Sequence, residues 1–308
     1  MNTRSPESGG GRLPYVFFGT GTIAAGVLGE LERAGLLPVL VVTAPDKPLG
    51  RGGALTPSPV GAWAAARSIE MSTPERLDAD FLASLQAAAD KRQVPLFVVV
   101  DYGKLLPGKL LDIPRRGTLN MHPSLLPRLR GPSPIRSAIL NDERTVGVSV
   151  MLVDEKMDHG PIVAQRIVAV PQWPPRGSEL DELLSHEGGK LLAEVLPQWA
   201  AGAIESTPQE HEKATFTKLF KKEDGLLDLS APHTAGADAY KSLLKIRAFE
   251  GWPGTYAFFE RGGKRFRMQI LDAHLDAGGA LILDTVKPEG KNAMPYADFA
   301  RSGALPAR

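Results

Sequence analysis

Asn120 and His122 stand one residue apart in Gly-Thr-Leu-Asn-Met-His-Pro, residues 117–123. In an extended strand, side chains two positions apart leave the same face, so an amide and an imidazole converge on one small volume. Pro123 has no N–H to give to a sheet ladder and marks the end of the strand. An amide donor and an imidazole aimed at one point suit an oxygen that turns negative when a carbonyl carbon is attacked. That chemistry also needs a carboxylate to orient the imidazole and collect a proton. Asp158 is the candidate: it follows the strand-like run 146–155 and precedes His159-Gly160-Pro161, a glycine turn that brings the backbone back. A carboxylate beside an imidazole favours its imidazolium form. His159 neighbours Asp158 and should point away, and His186, His211, His233 and His274 are scattered. No serine or threonine stands in a nucleophile-elbow pattern and no His-Glu-x-x-His occurs. The expectation is therefore neither a covalent nucleophile nor a metal.

Two further stretches invite a functional reading. Gly19-Thr20-Gly21-Thr22-Ile23-Ala24 fits G-x-G-x-x-G/A, follows a strand and opens a helix, the setting of a dinucleotide fingerprint. Asp46 lies loosely where a ribose-binding acid would stand. A nicotinamide-dependent oxidoreductase is thus one alternative, and a tight strand-to-helix turn in any α/β protein is the other. The run 43–60, Thr-Ala-Pro-Asp-Lys-Pro-Leu-Gly-Arg-Gly-Gly-Ala-Leu-Thr-Pro-Ser-Pro-Val, reads as a long loop with Lys47 and Arg51 among glycines and prolines. Two cations on such a loop suit a phosphate-bearing partner, and a solvated surface loop explains them equally well.

These residues need a frame. Apolar runs at 15–19, 38–44, 95–103, 117–123, 146–155 and 162–170 read as strands. Helical patterns at 22–34, 59–68, 78–89, 133–141 and 179–200 separate most of them. Continuously apolar strands alternating with helices predict a largely parallel sheet covered on both faces, with working groups at the carboxyl ends of its strands. Around 199–208 the pattern breaks into a polar, proline-containing stretch. Beyond it come one helical piece and short strands with Gly-Gly turns, among them a hairpin, Thr-Tyr-Ala-Phe-Phe-Glu, Arg-Gly-Gly, then Lys-Arg-Phe-Arg-Met-Gln-Ile. The expected division is a frayed tail over 1–12, a catalytic domain over 13–203, a linker over 204–213 and a β-rich, barrel-like domain over 214–308.

The bulk numbers agree with such a division, since 308 residues exceed one compact core. Without cysteine there is no disulfide framework and no thiolate, which fits a cytoplasmic protein. No run approaches the roughly 18 apolar residues of a membrane span. A net charge of +1 argues against a strongly nucleic-acid-seeking surface overall. The stretch 214–308 nevertheless carries 14 Lys and Arg against 11 Asp and Glu, a mild basic excess that could help hold a polyanion.

Asn120-Met121-His122, Ser124-Leu125-Leu126-Pro127 and Asp158-His159-Gly160 together resemble the folate-dependent formyltransferases. Their pattern is Asn-x-His on a strand, Ser-Leu-Leu-Pro after it and Asp-x-Gly beyond. The likeness runs from about residue 13 through nearly the whole chain and is greatest to the tRNA-directed branch. There 45–52, 130–140, 214–228, 246–256 and 288–303 all resemble family segments. The resemblance implies a Rossmann-like formyltransferase fold with a smaller C-terminal domain that contacts tRNA. It further implies 10-formyltetrahydrofolate as donor and the α-amine of methionyl-tRNA as acceptor; a monomer is expected, although the sequence does not fix the oligomeric state. Asn120, His122 and Asp158 would be catalytic. The backbone of Tyr102, Gly103, Lys104, Leu105 and Leu106, and that of Ser124, Leu125, Leu126 and Pro127, would line the folate pocket. Lys47, Arg51, Arg265 and Arg267 would meet the tRNA. Sugar-nucleotide and glycinamide-ribonucleotide formyltransferases share the trio, so those acceptors stay open. Two departures stand out: the family's Gly-Thr-Pro is Gly19-Thr20-Gly21 here, and its Ala-Tyr-Gly is Asp101-Tyr102-Gly103.

Overall fold

A computed structural model describes residues 13–49, 53–229 and 236–307. The expected tail and Arg51 lie outside the described residues. The first elements are β1 (Tyr15–Gly19), α1 (Thr22–Arg33), β2 (Leu40–Val42), β3 (Lys47–Leu49), β4 (Ala54–Thr56), α2 (Pro59–Ala65), β5 (Met71–Ser72) and α3 (Ala79–Lys91). They are followed by β6 (Leu96–Val100), α4 (Gly108–Leu111), β7 (Thr118–His122), α5 (Pro134–Leu140), β8 (Val146–Leu152), β9 (Ile162–Val168) and α6 (Gly177–Ala201). The chain ends with α7 (Ala237–Ala248), β10 (Thr255–Arg261), β11 (Lys264–Leu275), β12 (Leu281–Pro288), β13 (Met294–Pro295), α8 (Tyr296–Ala300) and β14 (Leu305–Pro306).

Seven strands form one sheet in the order β5-β2-β1-β6-β7-β8-β9. The pairs β5–β2, β2–β1, β1–β6 and β6–β7 are parallel, and β8 runs antiparallel to β7. The sheet is thus mostly parallel, and its central strands are apolar without alternation because both faces are covered. All five residues of β1 are buried, as are Leu96, Phe97, Val98 and Val100 of β6. One face packs Val16, Phe18, Leu40, Val42 and Phe97 against Leu85 and Ala89 of α3 and against Leu110. α6 is joined to α1 through His186, whose Nδ1 lies 2.5 Å from Oε1 of the buried Glu30. The run expected as a long loop contains a two-stranded antiparallel pairing, Lys47–Leu49 against Ala54–Thr56, with Pro48 opposite Leu55.

The chain divides into two compact units that are not contiguous in sequence. One comprises the chain through His122 with 148–166 and 185–211; the other comprises 123–147, 167–184 and 212 onward. Residues 204–211 therefore group with the parallel sheet. The second unit holds a five-stranded antiparallel sheet, β13-β12-β11-β10-β14. Its core joins Leu243 and Ile246 of α7 to Ala257, Phe259, Met268, Ile270, Val286 and Phe299. No helix among the described residues is long and apolar enough to cross a membrane.

Glu250 is a polar tie inside this second unit. It accepts hydrogen bonds from the backbone N–H and Oγ of Ser178 at 3.2 and 2.5 Å and from Nη1 of Arg176 at 3.2 Å. Burial pushes its carboxyl up, but the bonds from Ser178 and Arg176 outweigh that and hold it below its ordinary 4.5. A carboxyl lowered in the folded state stabilises the fold above its unfolded value, and that contribution is lost as pH falls through the folded value. Glu250→Gln is expected to lower stability at neutral pH by about 1–3 kcal/mol. It should also flatten the fall in melting temperature below about pH 4.5. Thermal melts of both proteins across that range check this.

Candidate active site

β7 carries the two side chains that open the site. It lies between β6, with Val99 beside Asn120, and β8, with Met151 opposite Asn120 and Ser149 opposite His122. Strand alternation places Thr118, Asn120 and His122 on one face, and the buried Leu119 and Met121 on the other. His122 is only 5% exposed. Its Nδ1 stands 3.7 Å from Oδ1 of Asp158, an ion-pair separation longer than a hydrogen bond. Ser149, fully buried opposite the imidazole, accepts a 2.8 Å hydrogen bond from Nε2 of Gln165.

Asp158 reaches the imidazole from the loop between β8 and β9, which is tied at several points. Val153 donates its N–H to Thr118 O at 2.8 Å, and Leu152 donates to Pro161 O at 2.9 Å. At Gly160 the returning backbone passes so close that an added Cβ would overlap the carbonyl oxygen of Leu152. Asp158 itself takes a left-handed φ of 49°, a conformation that costs a non-glycine residue about 1–2 kcal/mol. His159 is engaged elsewhere: its Nδ1 lies 2.7 Å from Oδ2 of Asp154, and its ring stacks on His211 with centroids 4.0 Å apart. Gln209, in the run expected as linker, donates Nε2 to Asp158 O at 3.0 Å and to Gly160 O at 2.7 Å. Nothing in the sequence pattern marks Gln209, because its partners lie some 50 residues away. Ser149 could have been found by extending the strand alternation of 146–152.

The segment after β6 has a different character. Thr20 donates its N–H to Asp101 O at 3.0 Å and its hydroxyl to Tyr102 O at 3.2 Å. Asp101 has a φ of 45°, and its carboxylate lies against Gly21, where an added Cβ would overlap Oδ2. Gly21 is the N-cap of α1, so the carboxylate sits at the positive end of that helix. A dinucleotide pyrophosphate would need that same place and would meet a negative charge there. The glycine run 19–24 is therefore a strand-to-helix turn, and the oxidoreductase reading is not supported.

The residues expected around the donor are distributed as follows. Tyr102 is buried against Phe18, with ring centroids 5.5 Å apart, and burial pushes its hydroxyl up to about 12. Lys104 has its ammonium tied to the carbonyls of Pro74 and Glu75 at 2.7 and 2.9 Å, so its side chain braces the segment. Gly103 is exposed with a φ of 77°, and Leu105 is 81% exposed. Ser124–Pro127 belongs to the second unit, where the Ser124 hydroxyl donates to Arg128 O at 2.7 Å. A cavity of about 360 Å³ in that unit is lined by Ser124, Leu125, Arg128, Asp142, Glu143 and Arg144 and by none of the trio.

Of the cations expected to meet tRNA, Lys47 is exposed on β3. Arg265 lies 4.2 Å above the ring of Phe258, and Arg267 lies 3.8 Å above that of Tyr256. The β10–β11 register makes these diagonal cross-strand pairs, so the sheet presents a patch of alternating guanidinium and aromatic rings.

Residues 13–196 match the formyl transferase family. The methionyl-tRNA formyltransferase of Chloroflexus aurantiacus is 43% identical over 275 residues, covering 89% of this chain and 84% of the relative. That of Thermus thermophilus is 39% identical over 309 residues, covering 94% and 96%. The chain belongs to the methionyl-tRNA formyltransferase family. Among solved structures, HypX from Aquifex aeolicus in complex with tetrahydrofolic acid superposes with a TM-score of 0.60 at 16% identity, over 92% of this chain and 46% of HypX. That likeness concerns the fold alone.

The contact between Gly21 and Asp101 can be tested as a coupling. Gly21→Ala is expected to destabilise the protein by about 1–3 kcal/mol, the usual range for a forced overlap. The cost should largely vanish when Asp101→Ala removes the carboxylate, which a double-mutant cycle in urea denaturation reads directly.

Proposed function

We propose that this protein transfers a formyl group from 10-formyltetrahydrofolate to the α-amine of methionyl-tRNA. The observation that carries this reading is the meeting of His122 and Asp158, 3.7 Å apart, at the end of a central strand that also bears Asn120. Relatives that match the chain over nearly its full length, second unit included, favour methionyl-tRNA over a sugar-nucleotide or glycinamide-ribonucleotide amine.

The chemistry follows from what each group can donate or accept. As the amine adds to the formyl carbon, the formyl oxygen gains negative charge. Asn120 offers its side-chain N–H groups to that oxygen, and His122 offers Nε2–H, because Asp158 addresses the opposite ring nitrogen. Donors held by a strand do not have to reorient as charge builds. Asp158 holds the imidazole, accepts the proton released by the attacking amine and passes it through water toward the departing nitrogen of the donor. No protein nucleophile is required, because the formyl group moves directly between two amines.

The donor fits the segment after β6 by chemistry rather than by shape alone. Gly103 and Leu105 are exposed at the carboxyl end of the strand next to β7, which is where α/β sheets place their ligands. Backbone N–H and C=O groups there can pair with the edge of a flat heterocycle. For the tRNA, Arg265 and Arg267 above their rings, with Lys47 and Arg51, would hold phosphates and unstacked bases.

Formyl transfer to methionyl-tRNA by purified variants tests the roles. Asn120→Ala is expected to lower kcat about 10²–10³-fold, the usual loss for one donor to a developing oxyanion. Asp158→Asn should lower kcat comparably while the melting temperature stays close to that of the parent. Near-parental rates in variants at Asn120, His122 and Asp158 would contradict the assignment. Arg265→Ala is expected to raise KM for tRNA while leaving KM for the folate donor unchanged, and to weaken the salt dependence of tRNA binding. Equal effects on both substrates would remove Arg265 from the tRNA surface.

A further inference from the structure

Gln209 lies eight residues beyond the end of α6, in the polar run between that helix and the second unit's sheet. It is nonetheless 5% exposed, and its amide nitrogen is directed at the catalytic loop. A carboxamide has two N–H groups, and here they go to the carbonyl oxygens of Asp158 and Gly160, on either side of His159. The segment that presents Gln209 is anchored at both ends. Thr207 and Ile162 exchange backbone hydrogen bonds of 2.7 and 2.8 Å. His211 stacks on His159 with the two rings 6° from parallel, and His159 is held in turn by Asp154. On the loop itself, the backbone at Gly160 passes so close to Leu152 that an added Cβ would overlap its carbonyl oxygen.

We propose that Gln209 is a positioning residue for formyl transfer. By bridging two carbonyls of the catalytic loop, it holds Asp158 in the left-handed conformation that turns its carboxylate toward His122. Gln209 touches no reacting atom and acts through Asp158. Without the amide, the buried carbonyl of Gly160 and the half-buried one of Asp158 lose this donor, and the strained φ of Asp158 can relax toward the right-handed region, carrying the carboxylate away from the imidazole. Catalytic rate is sensitive to this, since a displacement of about 1 Å can cost on the order of 10²-fold. The inference rests on the proposed formyl transfer and extends the machinery of that reaction to residues 207–211, past residue 196 where the family match ends.

The test uses full-length Gln209→Met and Gln209→Asn, with steady-state formylation and hydrogen–deuterium exchange. Gln209→Met is expected to lower kcat about 10- to 100-fold while KM for both substrates stays within about twofold. Amides of 154–161 should exchange faster, and those of β1 and β6 should not change. Gln209→Asn keeps the donors on a shorter stem and should fall between Gln209→Met and the parent. Parental kcat in Gln209→Met, or parental exchange at 154–161, overturns the proposal. Should Gln209→Met fail to fold, Gln209→Asn decides: reduced kcat at unchanged KM supports the clamp, and parental kcat refutes it. A parent protein that formylates no methionyl-tRNA refutes the reaction instead, and exchange at 154–161 then judges the clamp alone.

Discussion

A buried imidazole at the end of β7 can act as a fixed donor only if something orients its ring, and the fold delivers that partner from a different part of the chain. Asp158 reaches His122 across the β7–β8 register, from a loop that leaves β8 and returns into β9. The reach requires left-handed backbone at a residue that has a Cβ, and a glycine two positions later where no Cβ fits. Several hydrogen bonds surround this geometry. Thr118 O receives Val153, Pro161 O receives Leu152, and Gln209 spans the two carbonyls flanking His159. Strain of this kind persists only where the neighbourhood over-determines it, and here three donors make four hydrogen bonds to the surrounding backbone.

The two departures from the formyltransferase pattern turn out to be one physical feature. Gly21 and Asp101 lie far apart in sequence, and in the fold the carboxylate of Asp101 fills the space a side chain at 21 would need. A proline at 21 would meet that carboxylate, which would have to move to admit it. The arrangement also places a negative charge at the N-terminus of α1, a favourable position for an anion worth about 0.3–1 kcal/mol. The same charge turns the glycine motif from an invitation to a pyrophosphate into a reason against one. Thr20, bonded to both Asp101 and Tyr102, fixes this turn to the end of β6.

How much of this was legible depended on the range of the interaction. Asn120 and His122 could be placed on one face because alternation in a strand is local and strict. The mostly parallel sheet followed from unbroken apolar runs such as 96–100, and the antiparallel C-terminal sheet from the Gly262-Gly263 hairpin. Asp158 was identifiable by type and by the glycine after it, although its left-handed φ was not. Gln209, His211 and the Gly21–Asp101 contact were invisible because each depends on backbone brought together over dozens of residues. The run 204–213 read as a linker for the same reason: its composition is polar and irregular, and the bonds of Thr207 and Gln209 to Ile162, Asp158 and Gly160 are tertiary. Lys104 was expected only through its backbone, and only the fold reveals that its ammonium is committed to Pro74 and Glu75.

If His122 and Asp158 work as one unit, removing either should already remove most of what the pair contributes. Single-turnover formyl transfer to methionyl-tRNA by His122→Ala, Asp158→Ala and the double variant measures this without interference from product release. The predicted result is strong non-additivity, with the double variant no slower than the slower single variant by more than about threefold. Losses that simply multiply would mean that the two residues act independently, and would contradict the account.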